Sequence, residues 1–404
     1  MTEKLLIENY NYELPNEKIA TQPLPMRDSS KLLLWKDGKI GESVFSQLAN
    51  EIPEGYSLVF NNTKVIRARL FFKNSTGALL EVFLLEPLKP TAEIQQALSQ
   101  AMACEWLCFV SKPEKWRNEN LISVFDTGLF QITLKAQKIS RQKDGFIIRF
   151  EWSPPEKTFA QILETAGNMP LPPYMKRKSE TADDNRYQTV FGFNNGSVAA
   201  PTASLHFSEN LLSELKEKFP VEFVTLHVGA GTFKPVKTDD VHDHQMHAEK
   251  IIISKSCIEN LCDEKRFGKI IAAGTTSLRT LETIYWWGVK CLRNEIREAN
   301  LFLEQWYPYQ NQSTFTRKES LVALLAYFKK NNLTQLQGQT ELIIVPGYEL
   351  KMVKGLITNF HQPRSTLLLL VAAFAGQEWK KMYDYALENN FRFLSYGDGS
   401  LLLK

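Results

Sequence analysis

The sequence predicts a mixed α/β protein: a layered α/β main domain with a small β-barrel domain inserted in it. Three observations lead there. The chain has 404 residues, more than one hydrophobic core comfortably serves, so two domains or one domain with an insert are expected. Residues 57 to 152 read as consecutive short strands separated by turn-forming stretches, with no long helix among them. After Pro154 and Pro155 the texture changes to helices alternating with apolar strands, the pattern of an α/β layer.

In chain order, the strands expected in the first stretch are Ser57 to Phe60, Val65 to Phe72, Ala78 to Leu85, Trp106 to Val110, Phe130 to Ala136 and Phe146 to Trp152. Stretches such as 73–77 and 141–145 carry the Gly, Asn and Asp that turns require. In the second region Phe159 to Gly167 and Phe207 to Phe219 read as helices and Phe223 to Val228 as a buried strand. Lys269 to Ala273 reads as a strand running into Gly274-Thr275-Thr276-Ser277, where a helix carrying Arg279 and Glu282 begins. Thr316 and Glu319 have capping-box spacing and open a helix through Lys330. Glu341 to Val345 and Gly355 to Thr358 read as strands, and Ser365 caps a helix through Phe374. Ligand sites in such layers gather at the carboxyl ends of strands, which places His227, Thr275, Thr276, Asn359 and His361 there.

Composition narrows the function classes. Hydrophobic content of 44% and charge of 23% are ordinary for a globular protein. Residues 1–15 mix charges among apolar positions, which predicts no signal peptide, and the longest apolar run, Leu367 to Gly376, is about half a membrane span. A cytoplasmic protein is expected. Five cysteines include no C-x-x-C pair, so neither a disulfide frame nor a zinc site is indicated. His242, His244 and His247 lie among Asp239, Asp240, Asp243 and Glu249, which reads as a solvated or substrate-facing run rather than a metal cluster. The net charge of +3 does not by itself imply nucleic acid, but Lys and Arg outnumber Asp and Glu between Asn61 and Phe150. Lys64, Arg67, Arg69 and Lys73 form a basic run that can track a phosphate backbone or simply face solvent.

The chemistry-bearing stretches are poor in bulky side chains. Gly196 to Phe207 and Val224 to Phe233 contribute little apolar burial and set small residues beside His206 and His227, as a wall against a closely approaching ligand would. Gly229-Ala230-Gly231-Thr232 lacks the third glycine of a dinucleotide turn. Gly274 to Ser277 suits an oxyanion at a helix N-terminus, and equally a well-capped helix start. Three histidines, His206, His227 and His361, sit among small or polar neighbours and suit proton transfer. Asp28 and Asp398 each lie in a turn sequence. Leu171 to Lys178 joins a diproline to Tyr174 and to Lys176, Arg177 and Lys178, a ring for stacking and cations for phosphate.

Together these blocks resemble one family, the S-adenosylmethionine:tRNA ribosyltransferase-isomerases of queuosine biosynthesis. The matching stretches run in order: 20–33, 61–70, 171–178, 186–190, 196–207, 224–235, 274–282, 358–367 and 396–398. Departures are few: Arg67 stands where the family usually has proline, Phe72 where it often has glycine, and Ser204 replaces a usual glycine.

The resemblance implies that the ribosyl part of S-adenosylmethionine is transferred to the aminomethyl group of a 7-deazaguanine at the anticodon wobble position of tRNA, and isomerised to an epoxycyclopentane as adenine and methionine leave. S-adenosylmethionine is then a co-substrate, no other cofactor or metal is expected, and the partners are S-adenosylmethionine and the tRNA anticodon loop, with no membrane and a monomeric enzyme. It also implies a discontinuous α/β catalytic domain, 1–56 and 153–404 with 288–338 as an added lobe, and a β-barrel inserted at 57–152. The titratable side chains inside the matching blocks make His206, His227, His361, Asp28 and Asp398 the catalytic candidates. Substrate-binding candidates are Arg27, Ser197, Pro201, Thr202, Gly229, Gly231, Thr232, Thr275, Thr276, Arg279, Asn359 and Arg364. Those for tRNA are Lys64, Arg67, Arg69, Tyr174, Lys176, Arg177 and Lys178. The competing reading is a non-catalytic tRNA-binding protein on the same scaffold.

Overall fold

The structure, a computed structural model, describes residues 4–117, 119–128, 130–143, 145–229, 236–296 and 301–404. It is built on two large sheets. The ten-stranded sheet runs in the order Leu301–Leu303, Gln335–Thr340, Glu249–Ser254, Val221–His227, Tyr56–Asn61, Lys269–Ala273, Val353–Asn359, Gly399–Leu403, Lys31–Lys36 and Lys39–Val44. Its four middle strands, Val221–His227, Tyr56–Asn61, Lys269–Ala273 and Val353–Asn359, are mutually parallel. Their carboxyl ends therefore meet along one edge.

Parallel strands buried on both faces read as near-continuous apolar runs, and Tyr56–Asn61 is buried at all six positions. Alternation then divides its side chains between two cores. Val59, Ala272 and Leu356 face the core built with helix Thr275–Leu292, while Leu58, Phe60, Ile271 and Ile357 face the one built with helix Glu209–Lys218.

The seven-stranded sheet is antiparallel, in the order Gly167–Asn168, Arg69–Lys73, Leu79–Lys89, Ala103–Val110, Gly145–Ser153, Gln131–Gln142 and Leu121–Asp126. Helix Phe159–Ala166 begins with a complete capping box, Thr158 with Gln161, and seats Phe159 against Trp106, Phe150 and Trp152 at centroid distances of 5.6, 5.6 and 5.2 Å.

The mixed α/β class is as expected. The smaller sheet curls until Ser123 Oγ donates to Phe71 O at 3.2 Å, but no ladder joins Leu121–Asp126 to Arg69–Lys73 among the described residues, so it stands as a half-barrel. Tyr56–Asn61, which the pattern groups with the barrel, lies at the centre of the larger sheet instead. Residues 341–345, expected as a strand, are not one. Their polar backbone is satisfied by side chains and loops: Leu342 N donates to Thr340 Oγ1, Val345 N to Tyr309 Oη, and Arg279 Nε donates to Leu342 O. The strand in that region is Gln335–Thr340, just upstream. From 288–338, Leu301–Leu303 and the start of Gln335–Thr340 extend the larger sheet, and helix Arg317–Lys330 packs on helix Thr275–Leu292.

Candidate active site

A cleft opens at the edge where the parallel strands end. One wall is formed by residues at or just past those ends: Val228, the turn Gly274 to Thr276, and Thr358, Asn359 and His361. The small residues Ala200 to Ala203 form another, and Tyr174 and Ser395 close it. Gly274 has φ +94°, which only glycine adopts freely, and provides no side-chain cap. The first N–H groups of helix Thr275–Leu292 thus meet the cleft uncapped, where an oxyanion suits them.

Asn61 ties this edge together. Its Nδ2 donates to Leu226 O (3.0 Å) and Thr276 Oγ1 (3.2 Å), and its Oδ1 accepts from Thr63 N and Leu226 N. Removing the amide would leave four polar atoms of three elements short of a partner in a fully buried place.

The three histidines have different positions. His361 lines the cleft; its Nε2 is engaged by Thr358 Oγ1 at 2.8 Å, and burial pushes its pKa down to about 3. His206 lies behind the cleft with both ring nitrogens engaged. Asn359 Nδ2 donates to Nε2 (3.0 Å), so Nδ1 carries the proton and donates to Ser30 Oγ (2.9 Å). Burial, then the charges of Arg392 and Arg27, push its pKa down to about 3. The cleft-lining Asn359 is left with a buried Oδ1 that has no partner, an acceptor awaiting an N–H or O–H. His227 bonds Thr63 Oγ1 through Nδ1 (2.9 Å), while its buried Nε2 has no partner. It lines a separate recess with Lys250, and burial lowers its pKa to about 4.

Several other candidates lie off the cleft, each held by local structure. Asp28 accepts from Ser208 Oγ. Asp398 is buried and accepts from Lys31 N (3.0 Å) and Arg392 N (2.7 Å), which fastens a turn to the start of a strand. Ser197 accepts from Val228 N and donates to Ala199 O, joining the small-residue segment to a strand end. Arg27 spends its guanidinium on the carbonyls of Asn185, Gln188 and Leu205. Arg279 ion-pairs with Glu249 within the protein and lines a neighbouring recess with Gly229, His244 and His247, its Nη2 buried without a partner. Arg364 lies 3.7 Å from Glu8. Gly231 and Thr232 lie outside the described residues.

Of the nucleic-acid candidates, Arg69, Lys176, Arg177 and Lys178 line one groove together with Pro172 and Pro173. Arg69 pairs with Glu81 and Arg177 is held bidentately by Asp183 (2.6 and 2.7 Å), so among the described residues of this groove Lys176 and Lys178, both exposed, are the cations free to meet a partner. Tyr174 stands on the opposite side of the same diproline turn, in the cleft, its hydroxyl on Ser395 Oγ. Arg67 bridges Asp184 and Glu164 O, and Lys64 is exposed on a short strand. Among the described residues no group of three His, Cys, Asp or Glu side chains is placed to hold a metal, and no helix is long and apolar enough to cross a membrane.

Sequence reasoning did not select Asn61, Gln362 or Ser395. Asn61 lies inside a matching block, next to a strand end, and that was the available signal. Ser395 directly precedes the matching block 396–398, but that it reaches the cleft depends on the fold of a loop far along the chain.

A cleft at the carboxyl ends of parallel strands, lined by small, polar and apolar residues, is the usual place for the site of an α/β enzyme. The comparisons with known proteins give the particular family. The family model described as queuosine biosynthesis protein matches residues 7–402, and the chain belongs to that family. A protein of Halothermothrix orenii named S-adenosylmethionine:tRNA ribosyltransferase-isomerase is 38% identical, over 98% of this chain and 99% of its own. One of the same name from Pelobacter propionicus is 34% identical, over 98% and 100%. The crystal structure of an S-adenosylmethionine tRNA ribosyltransferase from Thermotoga maritima is 27% identical and covers 98% of this chain and 99% of that one, with a TM-score of 0.45.

Proposed function

We infer that this chain is an S-adenosylmethionine:tRNA ribosyltransferase-isomerase. It moves the ribosyl part of S-adenosylmethionine onto the aminomethyl group of 7-aminomethyl-7-deazaguanine at the wobble position of tRNA and isomerises the sugar to an epoxycyclopentane, with adenine and methionine released. The observation that carries this reading is the family match over residues 7–402, and the cleft agrees with it: its walls draw on the blocks at 196–207, 224–235 (through Val228), 274–282 and 358–367.

The reaction's demands distribute over this cleft. A sulfonium acidifies the neighbouring C5′ proton, so a neutral base is needed beside it. We assign that role to His361, the candidate histidine that lines the cleft. His206, engaged at both nitrogens, positions Asn359, whose free Oδ1 would accept from a sugar hydroxyl or a base N–H. The uncapped start of helix Thr275–Leu292 would stabilise oxygen as the sugar opens. His227 lines a separate recess and is kept neutral by burial, so we assign it no proton-transfer step in the cleft. The wobble nucleotide, splayed out of its loop, would stack on Tyr174 with its backbone along Lys176 and Lys178. We further propose two units, a discontinuous α/β catalytic domain including Tyr56–Asn61 and an inserted barrel-like unit, supported by their separate hydrophobic cores.

The test is to incubate the protein with S-adenosylmethionine and tRNA bearing the aminomethyl-deazaguanine, following adenine release and the mass of the wobble nucleoside. Both should appear together. Binding of tRNA with neither change, under conditions that sustain a known family member, would leave the binding-protein reading instead.

A further inference from the structure

Behind the cleft lies a smaller recess, into which Arg27, Arg186 and Arg392 converge. Arg392 has a carboxylate partner, Asp398 at 3.3 Å. The other two do not. Arg27 donates to the carbonyls of Asn185, Gln188 and Leu205, and Arg186 to those of Pro25 (2.8 Å) and Leu24 (2.7 Å), with its Nε buried and unpartnered. Among the described residues neither pairs with a carboxylate. Carbonyls satisfy N–H groups but carry no net charge, so two positive charges share this recess uncompensated. Their field is felt locally: burial and then Arg186 lower the Arg27 pKa, and Arg392 and Arg27 add to the burial that holds His206 neutral. Ser395 belongs to both the recess and the cleft, and Tyr174 bonds its hydroxyl.

We propose that this recess binds one oxyanion, a backbone phosphodiester of the tRNA strand whose nucleotide enters the cleft. The proposal rests on the tRNA reading above and adds a site to it. Guanidinium forks match phosphate oxygens, and one bound monoanion would offset much of the mutual repulsion. The methionine carboxylate is the other available oxyanion. It carries an ammonium and a sulfonium on the same short chain, and both would be repelled here, where Asp398 is already engaged.

The test is tRNA affinity across a salt series for the wild-type chain and for Arg186→Gln and Arg392→Gln, with KM for S-adenosylmethionine measured alongside. Arg392→Gln is the second variant because Arg186 also stitches backbone carbonyls and its loss could prevent folding. Each variant should weaken tRNA binding roughly tenfold at low salt and reduce the slope of log K against log[salt] by about 0.7 to 1, with KM for S-adenosylmethionine unchanged. A neutral methylphosphonate at one linkage beside the modified nucleotide should weaken wild-type binding and stop mattering in the folded variants. An unchanged slope in folded variants overturns the proposal. So does a raised KM for S-adenosylmethionine with the slope intact, which would give the recess to the carboxylate. Adenine release by the wild type reports on ribosyl transfer independently, so failure of that reading is seen separately.

Discussion

Replacing Glu282 by alanine should come close to unfolding this protein, although Glu282 lies outside the cleft. The carboxylate is fully buried on helix Thr275–Leu292 and accepts from Tyr348 Oη (3.0 Å), Lys351 N (2.9 Å) and Met352 N (2.9 Å). It therefore ties the helix that forms the cleft's uncapped turn to the loop entering strand Val353–Asn359, which carries Thr358 and Asn359. Glu282→Ala leaves those donors without an acceptor, at about 1–3 kcal/mol each. Part is returned, because the buried carboxyl is itself poorly solvated, as its raised pKa indicates. The net loss is about 3–5 kcal/mol, a large fraction of the roughly 5–15 kcal/mol that holds a domain folded. Glu282→Gln keeps one oxygen but turns an NH₂ toward N–H groups, and should lose about 1–3 kcal/mol. Urea unfolding measures both, with an unchanged m value required for the comparison. A loss below about 1 kcal/mol for the alanine variant would refute the reasoning, since the donors would then have found other partners.

Two further outcomes are expected. His206 is held neutral in the folded chain with a pKa of about 3, against 6.5 for the free side chain. Below pH 6.5 the unfolded chain takes up a proton that the folded chain refuses, so stability is intact above that pH and falls as pH drops toward about 3. His206→Gln should therefore make stability less steep in pH between about 6 and 4 by about 1.4 kcal/mol per pH unit, measured by urea melts at each pH; an unaltered slope would mean the ring protonates in place. Gly196 has φ +142°, and an added Cβ would lie 2.9 Å from His227 Cε1 and 3.0 Å from Ile94. Gly196→Ala should destabilise by about 1–3 kcal/mol as the His227 ring and Ile94 are displaced, measured by urea melts; an unchanged midpoint would show that both side chains move aside freely.

Much of the candidate site was legible because its signals are local. A glycine at a strand-to-helix turn, a capping serine at 365 and small residues beside a histidine are each read within a few positions of the chain, and Thr275, Thr276, Pro201, Thr202, Asn359 and His361 do meet in the cleft. The roles of Arg27, Asp398 and Ser197 were not legible in that way, since whether a polar side chain faces a ligand or a backbone carbonyl depends on what the fold brings opposite. Glu282 and Asn61 illustrate the same limit, with partners up to seventy and 215 positions away.

The sequence by itself determined the mixed α/β class, the change of texture after Pro155, the family and the segments from which the cleft is made, because periodicity, caps and motif blocks are properties of neighbouring residues. Only the tertiary structure decided that Tyr56–Asn61 belongs to the larger sheet, that the smaller sheet curls without a ladder across its edges among the described residues, and that residues 341–345 form no strand, although Glu341 N donates to Leu303 O. It alone separated His361 in the cleft from His206 behind it and gathered three arginines from positions 27, 186 and 392 into one recess. Strand pairing and charge pairing are long-range contacts, fixed by which surfaces pack together, and no local window of the chain contains both partners.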